Sequence, residues 1–86
     1  MNTETSIDER LRSLAAMVLG AEADEISDDS SPDTLLAWSS VRHLSLVAAV
    51  EEEFAIRLSM ADIHAAQRFG ELRRIVAEAV ERSRRA

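Results

Sequence analysis

The sequence has 86 residues, enough for one small domain with one hydrophobic core and too few for two. Apolar residues make up 47% of the chain and charged residues 30%, a balance that favours a folded protein over a disordered one. Sixteen acidic residues stand against ten arginines, no lysine is present, and the formal charge is −6. This charge disfavours binding to nucleic acid and to anionic membranes.

Two further absences limit the class of protein. The chain has no cysteine, which excludes disulfide bonds and thiolate metal sites. Its start, MNTETSIDER, lacks the apolar stretch of a signal peptide, and no run approaches the roughly 18 apolar residues of a membrane-spanning helix. We therefore expect one cytoplasmic domain over residues 1–86, with a monomer as the default state.

The first predicted element is a helix that begins at Ile7. Ser6 and Glu9 fit a capping box, in which a serine hydroxyl and a glutamate satisfy free amides of the first turn. Apolar residues then recur at helical spacing and would share one face: Ile7, Leu11, Leu14, Ala15 and Val18. Gly20 is placed to end the helix.

Residues 21–38, AEADEISDDSSPDTLLAW, show no sustained period and are predicted to form a loop. Loops this long without regular structure are usually functional. Ordering one costs conformational entropy, so apolar side chains should hold it to the core. The expected anchors are Ile26, Leu35, Leu36 and Trp38, with Leu36 and Trp38 partly buried just ahead of residue 40.

The second predicted helix runs from Val41, and its apolar stripe is Val41, Leu44, Val47, Ala48 and Phe54. Glu51 falls on the apolar side of this helix, an unfavourable place for a carboxylate. We expect an arginine, or backbone amides of the turn before the third helix, to satisfy it.

The remaining sequence predicts one short and one longer helix. Ser59 to Asp62 resembles a capping box, after which only residues 63–66 can continue as a third helix. The stripe of the last helix is Phe69, Leu72, Ile75, Val76, Ala79 and Val80. The fold class is therefore all-α: a small four-helix bundle of three longer helices and a short third helix, with a long loop between helices one and two.

Few side chains offer chemistry. His43 and His64, the only imidazoles, lack a metal-ligand spacing and are expected to be surface or rim residues, so no metal site is predicted. Ser39, Ser40, His43 and Asp62 supply the residue types of a nucleophilic triad, but a bundle this small should offer little concave space to exclude water.

The adjacent serines at the start of helix two allow two interpretations. Ser39 or Ser40 can cap the helix, because a serine hydroxyl satisfies a free amide there. The same helix end, with its unpaired amides and positive dipole, also suits a phosphate esterified to a hydroxyl. Both can hold, one for each serine.

Residues 39–54, SSVRHLSLVAAVEEEF, resemble the core of acyl carrier proteins, whose signature is an Asp-Ser-Leu triplet leading into helix two and ending in an acidic run and phenylalanine. The resemblance extends over roughly residues 7–80. It implies that 4'-phosphopantetheine from coenzyme A is esterified to the serine of the triplet, which falls on Ser40. The thiol of this arm would carry an acyl or aminoacyl group as a thioester.

Two departures from the family signature lie beside Ser40. Val41 replaces leucine, a mild change, and Ser39 replaces an aspartate thought to help the phosphopantetheinyl transferase and its magnesium engage the site. Ser39 can still act as the helix cap. The resemblance leaves an alternative open: a carrier-like docking or scaffold module that stays unmodified because the aspartate is absent.

The resemblance also implies partners. They are a phosphopantetheinyl transferase and a ligase, synthase or transferase that loads the cargo in polyketide, fatty-acid or amino-acid chemistry. The chain itself would be a carrier and no enzyme. Docking is expected around Arg42, Ser45 and Glu52, of which Arg42 and Ser45 replace residues that are commonly acidic in fatty-acid carriers.

Overall fold

The computed structural model describes residues 3–35 and 38–85, with side chains from Ile7 onward. It contains four α-helices, α1 (Thr3–Leu19), α2 (Ser40–Phe54), α3 (Met60–Ala65) and α4 (Phe69–Arg85), and a short 3-10 helix at Ala23–Glu25. The described ranges contain no strand, so the predicted all-α bundle with a short third helix is confirmed. No helix in this part of the chain is long and apolar enough to cross a membrane.

Helix α1 begins at Thr3, four residues before the predicted start, so the expected cap at Ser6 is wrong. Ser6 lies within the first helical turns. The extra turn is tolerated because the first amides of a helix can bond water instead of a side chain. The predicted end is confirmed: α1 stops at Leu19, and Gly20 has a φ of +68°, a conformation that glycine adopts without strain.

The buried apolar residues form one cluster, to which α1 and α4 contribute most. Helix α1 contributes Ile7, Leu11, Ala15 and Leu19, and α4 contributes Phe69, Leu72, Ile75, Val76 and Ala79. Leu14, Val18 and Val80 of the predicted stripes are only partly buried at its margin. Burial of one large apolar side chain contributes about 1.5–3 kcal/mol relative to exposure, so these two faces account for much of the stability.

Helix α2 turns a different face to the core than predicted. Its buried residues are Leu46, Val47 and Val50, whereas Val41 and Leu44 are 74% and 62% exposed. Of the other predicted stripe residues, Ala48 is exposed and Phe54 partly buried. Apolar residues lie on more than one face of this helix, so its period fits two stripes, and only packing against the rest of the bundle selects one.

The connection between α1 and α2, residues 20–39, is anchored by buried side chains. Ile26 and Trp38 are 2% and 1% exposed, and Leu35 packs partly buried against the cluster. The prediction that apolar residues anchor this connection is confirmed for these three. Leu36, the fourth expected anchor, lies outside the described residues.

Backbone hydrogen bonds join the middle of the connection to the start of α4. The N–H groups of Phe69 and Gly70 donate to the carbonyls of Ser30 and Asp28, at 2.9 and 3.0 Å. Gly70 permits this close approach, since a Cβ there would lie 3.1 Å from the Asp28 Cβ. Two first-turn amides of α4, which have no acceptor within their own helix, are thereby satisfied.

Two arginines add to this attachment. Arg73 of α4 forms an ion pair with Asp28, and its hydrogen bond lowers the pKa of the Asp28 carboxyl. Arg12 of α1 donates to the Ile26 carbonyl and lies 5.0 Å from the centre of the Phe69 ring. The connection is therefore held between α1 and α4 at its middle and by Trp38 at its end.

The predicted capping box before α3 is confirmed. Asp62 N–H donates to Ser59 Oγ at 3.0 Å, and Ser59 N–H donates to Asp62 Oδ2 at 3.1 Å. Helix α3 begins at Met60, directly after the cap, and ends at Ala65, so it is short as expected.

Glu51 has the kind of partner that its sequence position predicted. The N–H of Leu58 donates to Glu51 Oε2 at 2.8 Å. Leu58 is 8% exposed and lies in the turn that leads from α2 to α3. A backbone amide rather than an arginine bonds the carboxylate, which ties α2 to the entry of α3.

We expect Glu51→Ala to destabilise the fold by about 1–3 kcal/mol, because it leaves the Leu58 N–H without its acceptor in a buried stretch. Glu52→Ala is the matched control: Glu52 is exposed, and its loss should change the free energy of unfolding by less than about 0.5 kcal/mol. Urea unfolding followed by circular dichroism measures both. Equal stability of the two variants would contradict this role of Glu51.

Candidate functional site

The adjacent serines occupy different positions at the start of α2. Ser39 precedes the helix in an extended conformation, with φ −78° and ψ 170°, and its Oγ accepts a hydrogen bond from Arg42 N–H at 3.2 Å. Ser40 is the first helical residue and is exposed. The cap thus occupies the Ser39 hydroxyl, while Ser40 is accessible from solvent.

Trp38 and His43 brace this helix start. The Trp38 Nε1–H group donates to His43 Nδ1 at 3.0 Å, and His43 Nε2 lies 3.3 Å from the Ile63 carbonyl oxygen. Because Nδ1 accepts, we assign the proton of the neutral imidazole to Nε2, which donates to Ile63. His43 is partly buried beside the cleft, which agrees with the predicted rim position, and it joins three segments. The predicted surface position is confirmed for the exposed His64.

Arg42 ties α2 to the end of α1. Its Nη1 donates to the carbonyl of Leu19 at 2.8 Å and is 3.5 Å from that of Val18. These carbonyls belong to the last turn of α1, where free acceptors and the negative dipole end favour a cation. Arg42 is exposed, but one nitrogen of its guanidinium group bonds α1 and so helps to hold α2 against it.

An open cleft of about 830 Å³ lies beside Ser40. Its walls come from residues 29–34 of the connection, from the start of α2, and from residues 63–68. Apolar groups such as Leu44 and Ile63 alternate with polar ones such as Asp33 and His64. The cleft is open to solvent, so the expectation of little space that excludes water is not contradicted; the long connection supplies one wall of the cleft.

The residues of the supposed triad are not assembled. His43 bonds Trp38 and Ile63 and neither serine, while Asp62 is engaged in the cap with Ser59. Within residues 3–35 and 38–85, no group of three or more histidine or acidic side chains could hold a metal ion. The accessible chemistry at the start of α2 is the Ser40 hydroxyl.

The solvent side of α2 carries the other residues singled out in the sequence. Ser45 and Glu52 are both exposed. By helical spacing they share one side with the exposed Val41, Leu44 and Ala48, and we call these five residues the exposed face of α2. Apolar periodicity alone assigns Val41 and Leu44 to the core, so no sequence pattern predicted their place on this face.

Comparisons with known proteins agree with this geometry. The family model described as PP-binding, phosphopantetheine attachment site, matches residues 9–76. The solution structure of a holo acyl carrier protein from Geobacter metallireducens is similar, with a TM-score of 0.82 and 18% sequence identity over 91% of this chain and 90% of that one. At this sequence identity the structural similarity supports a shared fold only. A search of curated proteins finds no match.

The two serines should differ in their effect on stability. Ser39→Ala removes the acceptor for Arg42 N–H and should cost about 0.5–2 kcal/mol. Ser40→Ala is the matched control and should change the free energy of unfolding by less than about 0.5 kcal/mol, because an exposed serine gives way to a better helix former. Thermal unfolding compares the two variants. Equal losses would show that the cap is not specific to Ser39.

Proposed function

Because the chain belongs to the acyl carrier protein family, defined by its phosphopantetheine attachment site, we propose that Ser40 is the residue to which the arm is attached. The protein is a carrier whose covalently bound 4'-phosphopantetheine ends in a thiol that holds cargo as a thioester. The observation that carries the assignment to Ser40 is the cap: both serines are exposed, but the Ser39 Oγ accepts from Arg42 N–H, whereas Ser40 is the first helical residue and caps nothing.

The surroundings of Ser40 fit a phosphodiester and an arm. Its hydroxyl lies in the first turn of α2, where unpaired amides and the positive dipole end favour an anion. The cleft beside it has room for an extended chain and offers both apolar and polar walls. Within the described residues the Ser40 side chain makes no hydrogen bond, so attachment of the arm would break none there.

The replacement of the family's aspartate by Ser39 affects how the arm is loaded. A neutral hydroxyl keeps the cap but adds no negative charge beside Ser40, so a transferase and its magnesium lack one electrostatic contact. We expect loading to be slower than with aspartate, and not prevented. The chain performs no catalysis in this proposal; partner enzymes attach, extend or remove the cargo.

Partner enzymes should dock on the exposed face of α2 and on Arg42. Val41 and Leu44 give this surface an apolar centre, and Glu52 gives it a negative charge farther along the helix. Arg42 bonds the end of α1 through Nη1 only, so other guanidinium N–H groups can still meet an acidic group of a partner. The fitting partner surface is apolar at its centre with charges of both signs around it.

We expect Glu52→Arg to raise the KM of a phosphopantetheinyl transferase for this chain by about two- to tenfold with little change in kcat, because a charge at the rim of an interface affects encounter more than chemistry. Glu78→Arg on α4 is the matched control, an exposed reversal away from α2. Steady-state loading rates measure both. Equal effects would indicate net charge, and no effect would exclude Glu52 from the docking surface.

The attachment site is tested by incubating wild type, Ser40→Ala, Ser39→Ala and Ser39→Asp with coenzyme A and a transferase, followed by intact-mass measurement. Wild type and Ser39→Ala should gain one arm, the latter more slowly because its helix start is less well capped. Ser40→Ala should gain none. Ser39→Asp should be loaded faster than wild type, because it restores the charge and keeps a capping side chain.

Two outcomes would contradict the proposal in different ways. A modified Ser40→Ala protein with an unmodified Ser39→Ala protein would move the attachment site to Ser39. A wild type that remains unmodified while Ser39→Asp is loaded would favour a docking or scaffold module that has lost its modification. Circular dichroism of each variant shows whether an unmodified chain is still folded.

A further inference from the structure

The hydrogen bonds of His43 form a continuous link across the site. It starts at the Trp38 indole, which is 1% exposed, passes through both ring nitrogens and ends at the Ile63 carbonyl in α3. The two rings are also in contact, with centroids 5.8 Å apart. One imidazole thus connects the segment before Ser40, the second turn of α2 and the helix that forms a wall of the cleft.

This link exists for only one protonation state of His43. The neutral ring has one acceptor and one donor, and each faces the complementary group. A proton on Nδ1 would place two N–H donors opposite each other at 3.0 Å. Because the Trp38 indole is buried, its N–H would then lack a hydrogen-bond acceptor. Both ring nitrogens are engaged, Nδ1 with Trp38 and Nε2 with Ile63, so a rotation of the ring that moves Nδ1 from Trp38 also displaces Nε2.

We propose that His43 is a pH-sensitive positioning residue, whose neutral ring fastens α3 to the start of α2 and whose protonation releases α3 and widens the cleft beside Ser40. Among the side chains, histidine is the one that ordinarily changes charge between about pH 5 and 8, which makes protonation the change to test at this link. Any effect on loaded cargo rests on the proposed attachment at Ser40, whereas the link itself does not.

Other charged groups face the same cleft as His43. Asp29 and Asp33 come from the connection, His64 from α3, and Arg68 from the turn before α4. The two aspartates would favour a cationic imidazole that had left Trp38, whereas Arg68 and a charged His64 would oppose it. The released ring therefore has acidic groups near it on the side of the connection.

Helix α3 is the element most easily displaced by this release. It has six residues, none of them fully buried, and it is held by the partly buried Ile63 against the core, by the Glu51 tie at its entry and by the His43 contact. Short elements with few buried contacts open at low free-energy cost. Loss of the His43 contact should therefore be visible as local opening without global unfolding.

The first test follows the Trp38 indole by 1H–15N correlation spectra of the full chain, without its arm, from pH 8 to 5. Trp38 is the only tryptophan, so its signal needs no assignment. We expect the indole resonance to shift in one step that coincides with the titration of the His43 ring protons. In His43→Gln, whose amide can accept from Trp38 and donate to Ile63 at every pH, this step should disappear.

His64→Gln is the matched control, since it removes the exposed imidazole on the other wall and should leave the step intact. A step that persists in His43→Gln or vanishes in His64→Gln would overturn the proposal. If His43→Gln fails to fold, the comparison of wild type with His64→Gln still decides, because an indole signal that does not move with the His43 ring protons refutes the link.

The second test measures opening of α3 by hydrogen exchange of peptides that cover residues 60–65. Relative to His43→Gln at the same pH, wild type should lose protection by about two- to tenfold on going from pH 8 to 5, the change expected for one ordinary hydrogen bond. Peptides of α4 should show no such difference. Equal protection in both proteins across the range would show that protonation of His43 leaves α3 in place.

Neither readout involves loading, so a failure of the attachment proposal would leave both results interpretable. Loading of Ser40 can then be compared between wild type and His43→Gln at each pH, which cancels the pH dependence of the transferase itself. A rate ratio that changes with the same midpoint as the Trp38 signal would extend the effect to the site. A constant ratio would confine the effect to α3.

Discussion

The structure depends on how the connection between α1 and α2 is fixed. A segment of this length loses much conformational entropy when it is ordered, and only contacts with the helices can offset that loss. Buried Ile26 and Trp38 supply apolar contacts, while the amides of Phe69 and Gly70 hold its middle to α4. Since Trp38 lies two residues before Ser40, the same anchoring sets the position at which α2 begins. A carrier site on this fold is therefore a product of the loop as much as of the helix.

Several contacts of different kinds hold the start of α2 in position. The Ser39 hydroxyl caps the helix, Arg42 bonds the last turn of α1, and His43 reaches α3. Each contact comes from a different residue of the first turns, and each points to a different neighbour. Ser40 lies among them and makes none of these bonds. This arrangement supports our proposal for Ser40, because its neighbours are held by hydrogen bonds while its own side chain is exposed.

Helix α2 has apolar residues both on the side that faces the core and on the side that faces solvent. Leu46, Val47 and Val50 face inward, whereas Val41 and Leu44 remain exposed at the end that carries Ser40. An exposed apolar strip costs solubility and is usually retained for contact with other molecules. Arg42 and Ser45 lie beside this strip. We propose that partners bind this surface more through apolar contact than through negative charge.

Local sequence patterns determined much of this protein. They gave the all-α class, the faces of α1 and α4, the end of α1 at Gly20, the cap at Ser59 and Asp62, and the need of Glu51 for a partner. Each of these follows from neighbours within one helix or one turn. Only the tertiary structure decided which face of α2 is buried, that His43 bridges Trp38 and Ile63, that Arg42 serves the end of α1, and that the connection forms a cleft beside Ser40. These features join residues that lie far apart in sequence or on different elements, and their distances are set by how the helices and the loop pack, which no periodicity within a single helix contains.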